Sequence, residues 1–167
     1  MADPVRVANC SGFYGDRLSA AREVVEGGPI DVLTGDWLAE LTMLILVRDR
    51  MKDPTQGYAR TFVKQAEQVL ATCLDRGIRI VSNAGGVNPR GLAAAIRQLA
   101  ERIGRAPKIA VITGDDVLTN LDAWSARGEL RHLETGAALS AADGAPMAAN
   151  AYLGGWGPSL VDIGPPR

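Results

Sequence analysis

Four short stretches concentrate residues able to bind or act on a small molecule: Asn9-Cys10-Ser11-Gly12, Thr34-Gly35-Asp36, Ser82-Asn83-Ala84-Gly85-Gly86 and Thr113-Gly114-Asp115-Asp116. Glycine lets backbone N–H groups approach a ligand closely, and a helix N-terminus behind such a loop favours an anion. A phosphate or carboxylate can be held this way without many basic side chains. On that reading Asn9, Ser11, Gly12, Tyr14, Gly35, Asn83, Gly85 and Gly86 contact the substrate, while Asp36, Asp115 and Asp116 supply acid–base chemistry. Carboxylates from two loops can also hold a divalent metal such as Mg²⁺, because hard cations take oxygen ligands.

Each group also has a structural role open to it. Asp16, Asp36 and Asp116 stand where helical patterns begin, and N-capping alone selects aspartate there. Asn83-Ala84-Gly85-Gly86 reads equally well as a tight turn. Cys10 follows a strand pattern, the setting of a thiolate nucleophile near a helix N-terminus. The single histidine, His132, is distant in sequence, so a buried and inert thiol is the expectation for Cys10. His132 itself reads as a surface or strand residue, and Cys73 as core. None of these loops matches a dinucleotide fingerprint or a Walker loop.

The elements that must carry these stretches follow from hydrophobic periodicity. Val- and Ile-rich runs predict strands over 5–9, 30–33, 79–81 and 108–112. Helical spacing predicts helices from Asp16 to Gly27, over 37–50, over 58–76, and from Pro89 with Asn88 as cap and Leu92, Ile96, Leu99 and Ile103 inward. The repeated β-loop-α order predicts an α/β fold with a doubly wound, mostly parallel sheet, Rossmann-like or flavodoxin-like in three layers. Ligands of such sheets bind outside the carboxyl ends of the strands, where the polar stretches lie. Beyond 117 the pattern weakens to a short helix over 117–124, a strand over 129–133 and an irregular Ala- and Gly-rich tail.

The 167 residues fit one domain. The 18 Lys and Arg against 19 Asp and Glu leave a net charge of -1, which provides no electrostatic case for nucleic acid or an anionic membrane as partner. Two cysteines fit a reducing compartment better than a disulfide framework. Met1-Ala2-Asp3-Pro4 lacks a signal-peptide pattern. The most apolar stretch, 37–47, is interrupted by Glu40 and Thr42 and falls short of the ~20 residues of a bilayer span, so a cytoplasmic protein is expected.

Several runs occur in an order that resembles the acyclic terpene utilisation (AtuA-like) family. They are Asn9-Cys10-Ser11-Gly12-Phe13-Tyr14-Gly15-Asp16, Asp31-Val32-Leu33-Thr34-Gly35-Asp36 with Leu38-Ala39-Glu40-Leu41-Thr42-Met43, and Tyr58-Ala59-Arg60-Thr61-Phe62. Val81-Ser82-Asn83-Ala84-Gly85-Gly86 with Asn88-Pro89, then Gly114-Asp115-Asp116, then Ala149-Asn150-Ala151-Tyr152-Leu153-Gly154 continue the match. The resemblance covers about residues 5 to 154 and implies a role in catabolism of acyclic terpenes and branched acids handled as CoA thioesters. It assigns no residue a role.

Members of that family are usually longer, whereas this chain ends thirteen residues after Gly154. Residues 1–154 therefore read as the N-terminal part of such a protein, and 155–167 as the tail of a truncated form. Two functions are carried forward. One is an enzyme, or part of one, acting on an acyl-CoA or other anionic small molecule. The other is a non-catalytic binding or assembly subunit, with the apolar helix in a homo-oligomer or against a second half of a longer protein.

Overall fold

A computed structural model describes residues 3–139 and 144–155; of the tail expected over 155–167, all but Gly155 lies outside them. Strands β1 (Val7–Asn9), β2 (Val32–Gly35) and β3 (Arg79–Ser82) form an all-parallel open sheet in the order β1-β2-β3. Helix α1 (Ala20–Gly27) joins β1 to β2; α2 (Glu40–Lys52) and α3 (Arg60–Arg76) join β2 to β3. Parallel neighbours need such crossovers, and the expected α/β class with a parallel sheet is the one adopted.

The register aligns Ala8 with Leu33 and Ile80, then Asn9 with Thr34 and Val81. Side chains alternate across a sheet, and Leu33 and Ile80 meet Ala21 and Val25 of α1 and Val69 and Cys73 of α3 in one core cluster. A second cluster joins Ala66 and Leu70 of α3 to Ile96, Leu99 and Ala100 of α4 (Pro89–Arg102). The strands' carboxyl ends, Asn9, Gly35 and Ser82, consequently lie along one edge of the sheet.

Local chemistry sets the helix ends. Asn88 Oδ1 accepts the Gly91 N–H at 2.9 Å, with Pro89 in the first turn of α4, as capping requires. Gly77 ends α3 at φ 69°. Three expected helix starts move, among them that of α3, from Tyr58 to Arg60. α1 begins at Ala20 rather than at Asp16, and α2 begins at Glu40 rather than at Trp37, because the chain stays extended through Ala39 while Trp37 turns into the core. Glu40, which interrupts the apolar stretch, is exposed in the first turn of α2.

The fourth expected strand does not form among the described residues. Pro107, Ile109 and Val111 are half-buried and alternate with exposed Lys108, Ala110 and Ile112. Alternation encodes a one-sided apolar stripe, but a strand also needs a neighbouring edge to bond. The described chain divides into two compact units, the first running through Val111 and the second beginning at Ile112. The second unit holds a 3₁₀ turn (Leu118–Asn120) and α5 (Leu121–Ala126), and the strand expected over 129–133 is reduced to an isolated bridge between Arg131 and Ala138. No helix among the described residues is long and apolar enough to cross a membrane.

The turn into β2 is fastened to β1 by a forked ion pair. Arg6 donates from Nε to Asp31 Oδ2 at 3.0 Å and from Nη2 to Oδ1 at 2.9 Å, and its backbone N–H adds a third bond at 2.7 Å. These bonds, the Arg6 side chain first, pull the Asp31 carboxyl down to about 2. A carboxyl depressed in the folded state stabilises the fold above its unfolded pKa, and that contribution disappears as pH falls through the folded value. A carbon-detected NMR titration is expected to place the Asp31 midpoint near 2, and Arg6→Ala to raise it part of the way towards the free value of about 4, because the backbone N–H of residue 6 still donates to the carboxylate.

Candidate functional site

The loops after the three strands are bonded into a single rim. After β1, Asn9 Nδ2 donates to Ser11 O at 3.1 Å, and the buried Ser11 donates from Oγ to Phe13 O at 3.0 Å. Asp16 closes this loop, accepting the Gly12 N–H at 2.9 Å and the Arg17 N–H at 2.8 Å. Those two backbone donors, Gly12 first, hold its carboxyl below the usual range. Asp16 is therefore a loop clasp and not the cap of α1.

The Asp36 N–H donates to Ser11 O at 2.9 Å, joining the second loop to the first. Asn83, in the third loop, joins it to the second: Nδ2 donates to Asp36 Oδ1 at 2.5 Å, and Oδ1 accepts the Trp37 N–H at 2.9 Å. Asp36 Oδ1 also accepts the Leu38 N–H at 3.1 Å. Asp36 is exposed, and its described side-chain bonds all fall on Oδ1. Ala39, not Asp36, occupies the cap position of α2.

Two glycines permit this closeness. A Cβ on Gly35 would lie 2.5 Å from the Trp37 ring and 3.2 Å from Ser11 Cβ. Gly86 has φ 52°, and a Cβ there would overlap Leu46 and stand 2.9 Å from Gly57 O. Asn83 O accepts the Gly86 N–H at 3.2 Å, so the Asn83–Gly86 stretch is both a turn and part of the rim. Beneath it Trp37 is 1% exposed and meets Phe62 edge-on at 5.0 Å.

The start of α3 completes the rim. The Ala59 N–H donates to Ala84 O at 2.8 Å, and Thr61 Oγ1 donates to Tyr14 O at 2.9 Å. The neighbouring Tyr14 phenol is the first cause raising the Arg60 pKa, and the guanidinium lies 3.6 Å from Asp49 Oδ2. The Arg60 side chain is 60% exposed. Sequence reading assigned Arg60 no role, although its place at a helix start within the 58–62 run was the available signal.

Asp115 and Asp116 belong to the second unit. Asp115 Oδ2 accepts from Asn150 Nδ2 at 3.2 Å, and Asp115 O accepts the Ala151 N–H at 2.7 Å. Asp116 bridges to Asn150, and its Oδ1 accepts the Leu118 N–H at 3.2 Å at the start of the 3₁₀ turn, whose cap position is Val117. The runs at 114–116 and 149–151 thus meet. His132 Nδ1 accepts the Glu134 and Thr135 N–H groups, which makes it a turn residue. Among the described residues, no group of three or more His, Cys, Asp or Glu side chains could hold a metal ion.

A family model described as acyclic terpene utilisation family protein AtuA matches residues 5–158. Neither the curated proteins nor the solved structures contain a match.

The thiols take no visible part in the rim. Cys10 and Cys73 are both free and buried in the core. Burial pushes the Cys10 thiol up and the Cys73 thiol to about 11. Both stay protonated at neutral pH, so neither is expected to react with Ellman's reagent until the protein is unfolded. Rapid labelling of Cys10 in the native protein would instead mark it as an accessible nucleophile.

Proposed function

We propose that this chain, which belongs to the acyclic terpene utilisation family AtuA, binds a CoA thioester or another anionic small molecule of acyclic terpene and branched-acid catabolism at its rim of loops. The observation that carries this reading is Asp36, an exposed carboxylate oriented through one oxygen by Asn83 and the Leu38 N–H. A group fixed in that way pays little ordering cost when it meets a ligand, which suits acid–base work. The backbone of the Ser11–Gly12 and Gly85–Gly86 stretches and the Arg60 guanidinium are the groups proposed to receive the anionic part. Two free, buried cysteines fit a reducing, cytoplasmic setting.

A non-catalytic assembly role is the second reading. Leu41, 69% exposed on α2, favours it.

Thermal melts of the whole chain with branched acyl-CoA thioesters, each with and without Mg²⁺, separate the readings. Ligand at about 100 times its Kd should add roughly 2.7 kcal/mol, a shift of several degrees. Asp36→Asn keeps an oxygen acceptor for the Leu38 N–H and for Asn83 Nδ2 but loses the charge that strengthens both bonds, so its melt without ligand is expected to fall by about 1 kcal/mol with the fold intact, while the ligand response or turnover is lost. A full ligand response together with undiminished turnover in Asp36→Asn would remove the acid–base role. A cooperative melt that no thioester moves would favour the assembly reading.

A further inference from the structure

Helix α2 is covered on one side only. Thr42, Leu46 and Val47 are buried, and Arg50 Nη1 donates to Val87 O at 2.6 Å from the same side. At 100° per residue the opposite side carries Leu41, Leu44, Ile45, Arg48 and Lys52, a spacing of i, i+3, i+4, i+7 and i+11. Leu41 is 69% and Ile45 37% exposed, Leu44 is half-buried, and Arg48 and Lys52 are exposed. Apolar anchors at this spacing are what a partner helix engages.

Charge selects the partner. Glu40 stands in the first turn of α2, with Arg48 in the exposed stripe and Lys52 in the last turn. If a second copy lies antiparallel about a two-fold axis near Leu44, Glu40 of each copy is level with Arg48 of the other. Leu44 then meets its counterpart on the axis, with Leu41 and Ile45 of each copy flanking it. Such a surface is self-complementary, as a two-fold contact requires, whereas a parallel pairing would set like charges together. We propose that the exposed side of α2 is an isologous, antiparallel contact between two copies of this chain. One helix face is smaller than the ~800 Å² per partner of a standard interface, so the dimer dissociates on dilution.

Sedimentation velocity of the full chain over a range of concentrations tests this. The expected mass rises from one copy towards two with concentration. Ile45→Glu is expected to weaken association more than tenfold, and its melt should remain cooperative at dilutions where both it and the parent are monomeric. Glu40→Lys alone, and Arg48→Glu with Lys52→Glu alone, should each be monomeric, and mixing the two variants should restore the dimer. A chain that stays monomeric throughout would overturn the proposal. So would a dimer that Ile45→Glu leaves intact, or charge variants that fail to recombine.

Discussion

The side-chain amide of Asn83 faces two ways, donating from Nδ2 to the Asp36 carboxylate and accepting the Trp37 N–H on Oδ1. One planar group thereby ties the loop after β3 to the loop after β2 and fixes two consecutive residues of the latter. Trp37 can turn inward there because Gly35 presents no Cβ to its ring. With Trp37 buried against Phe62, the chain cannot enter α2 until Glu40, and Asp36 is left exposed on the rim. The position of the carboxylate is thus a consequence of packing below it as much as of bonding beside it.

That arrangement also explains which parts of the molecule were legible from residues alone. β1, β3, the body of α3 and the Asn88–Pro89 start of α4 depend on local patterning and capping, and they form where the patterns place them, whereas β2 forms over Val32–Gly35 rather than 30–33 and takes in Thr34 and Gly35. The start of α2 depends on Trp37 meeting a core assembled from α3, which no window around Trp37 contains. Asp16 illustrates a different difficulty. Capping a helix and clasping a loop both need a short carboxylate beside free N–H groups, so the residue type does not distinguish them. The segment 108–112 carries strand alternation without the neighbouring edge that turns alternation into a ladder.

Within the site, the loops were readable but their connections were not. Asn83 and Asp36, or Arg60 and Tyr14, are more than forty residues apart, and only the fold brings each pair together. The family runs gain a physical sense from this. Those at 9–16, 31–43, 58–62 and 81–89 converge in the first unit, while those at 114–116 and 149–151 bond to each other in the second. The separate bonding of Asp115 and Asp116, one to Asn150 and one to a 3₁₀ turn, gives each a structural task in its own unit.

The central claim is that three loops act as one ligand-receiving rim. Amide NMR shifts recorded while a branched acyl-CoA thioester is titrated into the labelled chain test it most directly. The account predicts that Ser11, Gly12, Asp36, Trp37, Asn83 and Gly86 shift together with a single binding constant. Shifts confined to other surfaces, or rim loops that respond with different constants, would contradict it.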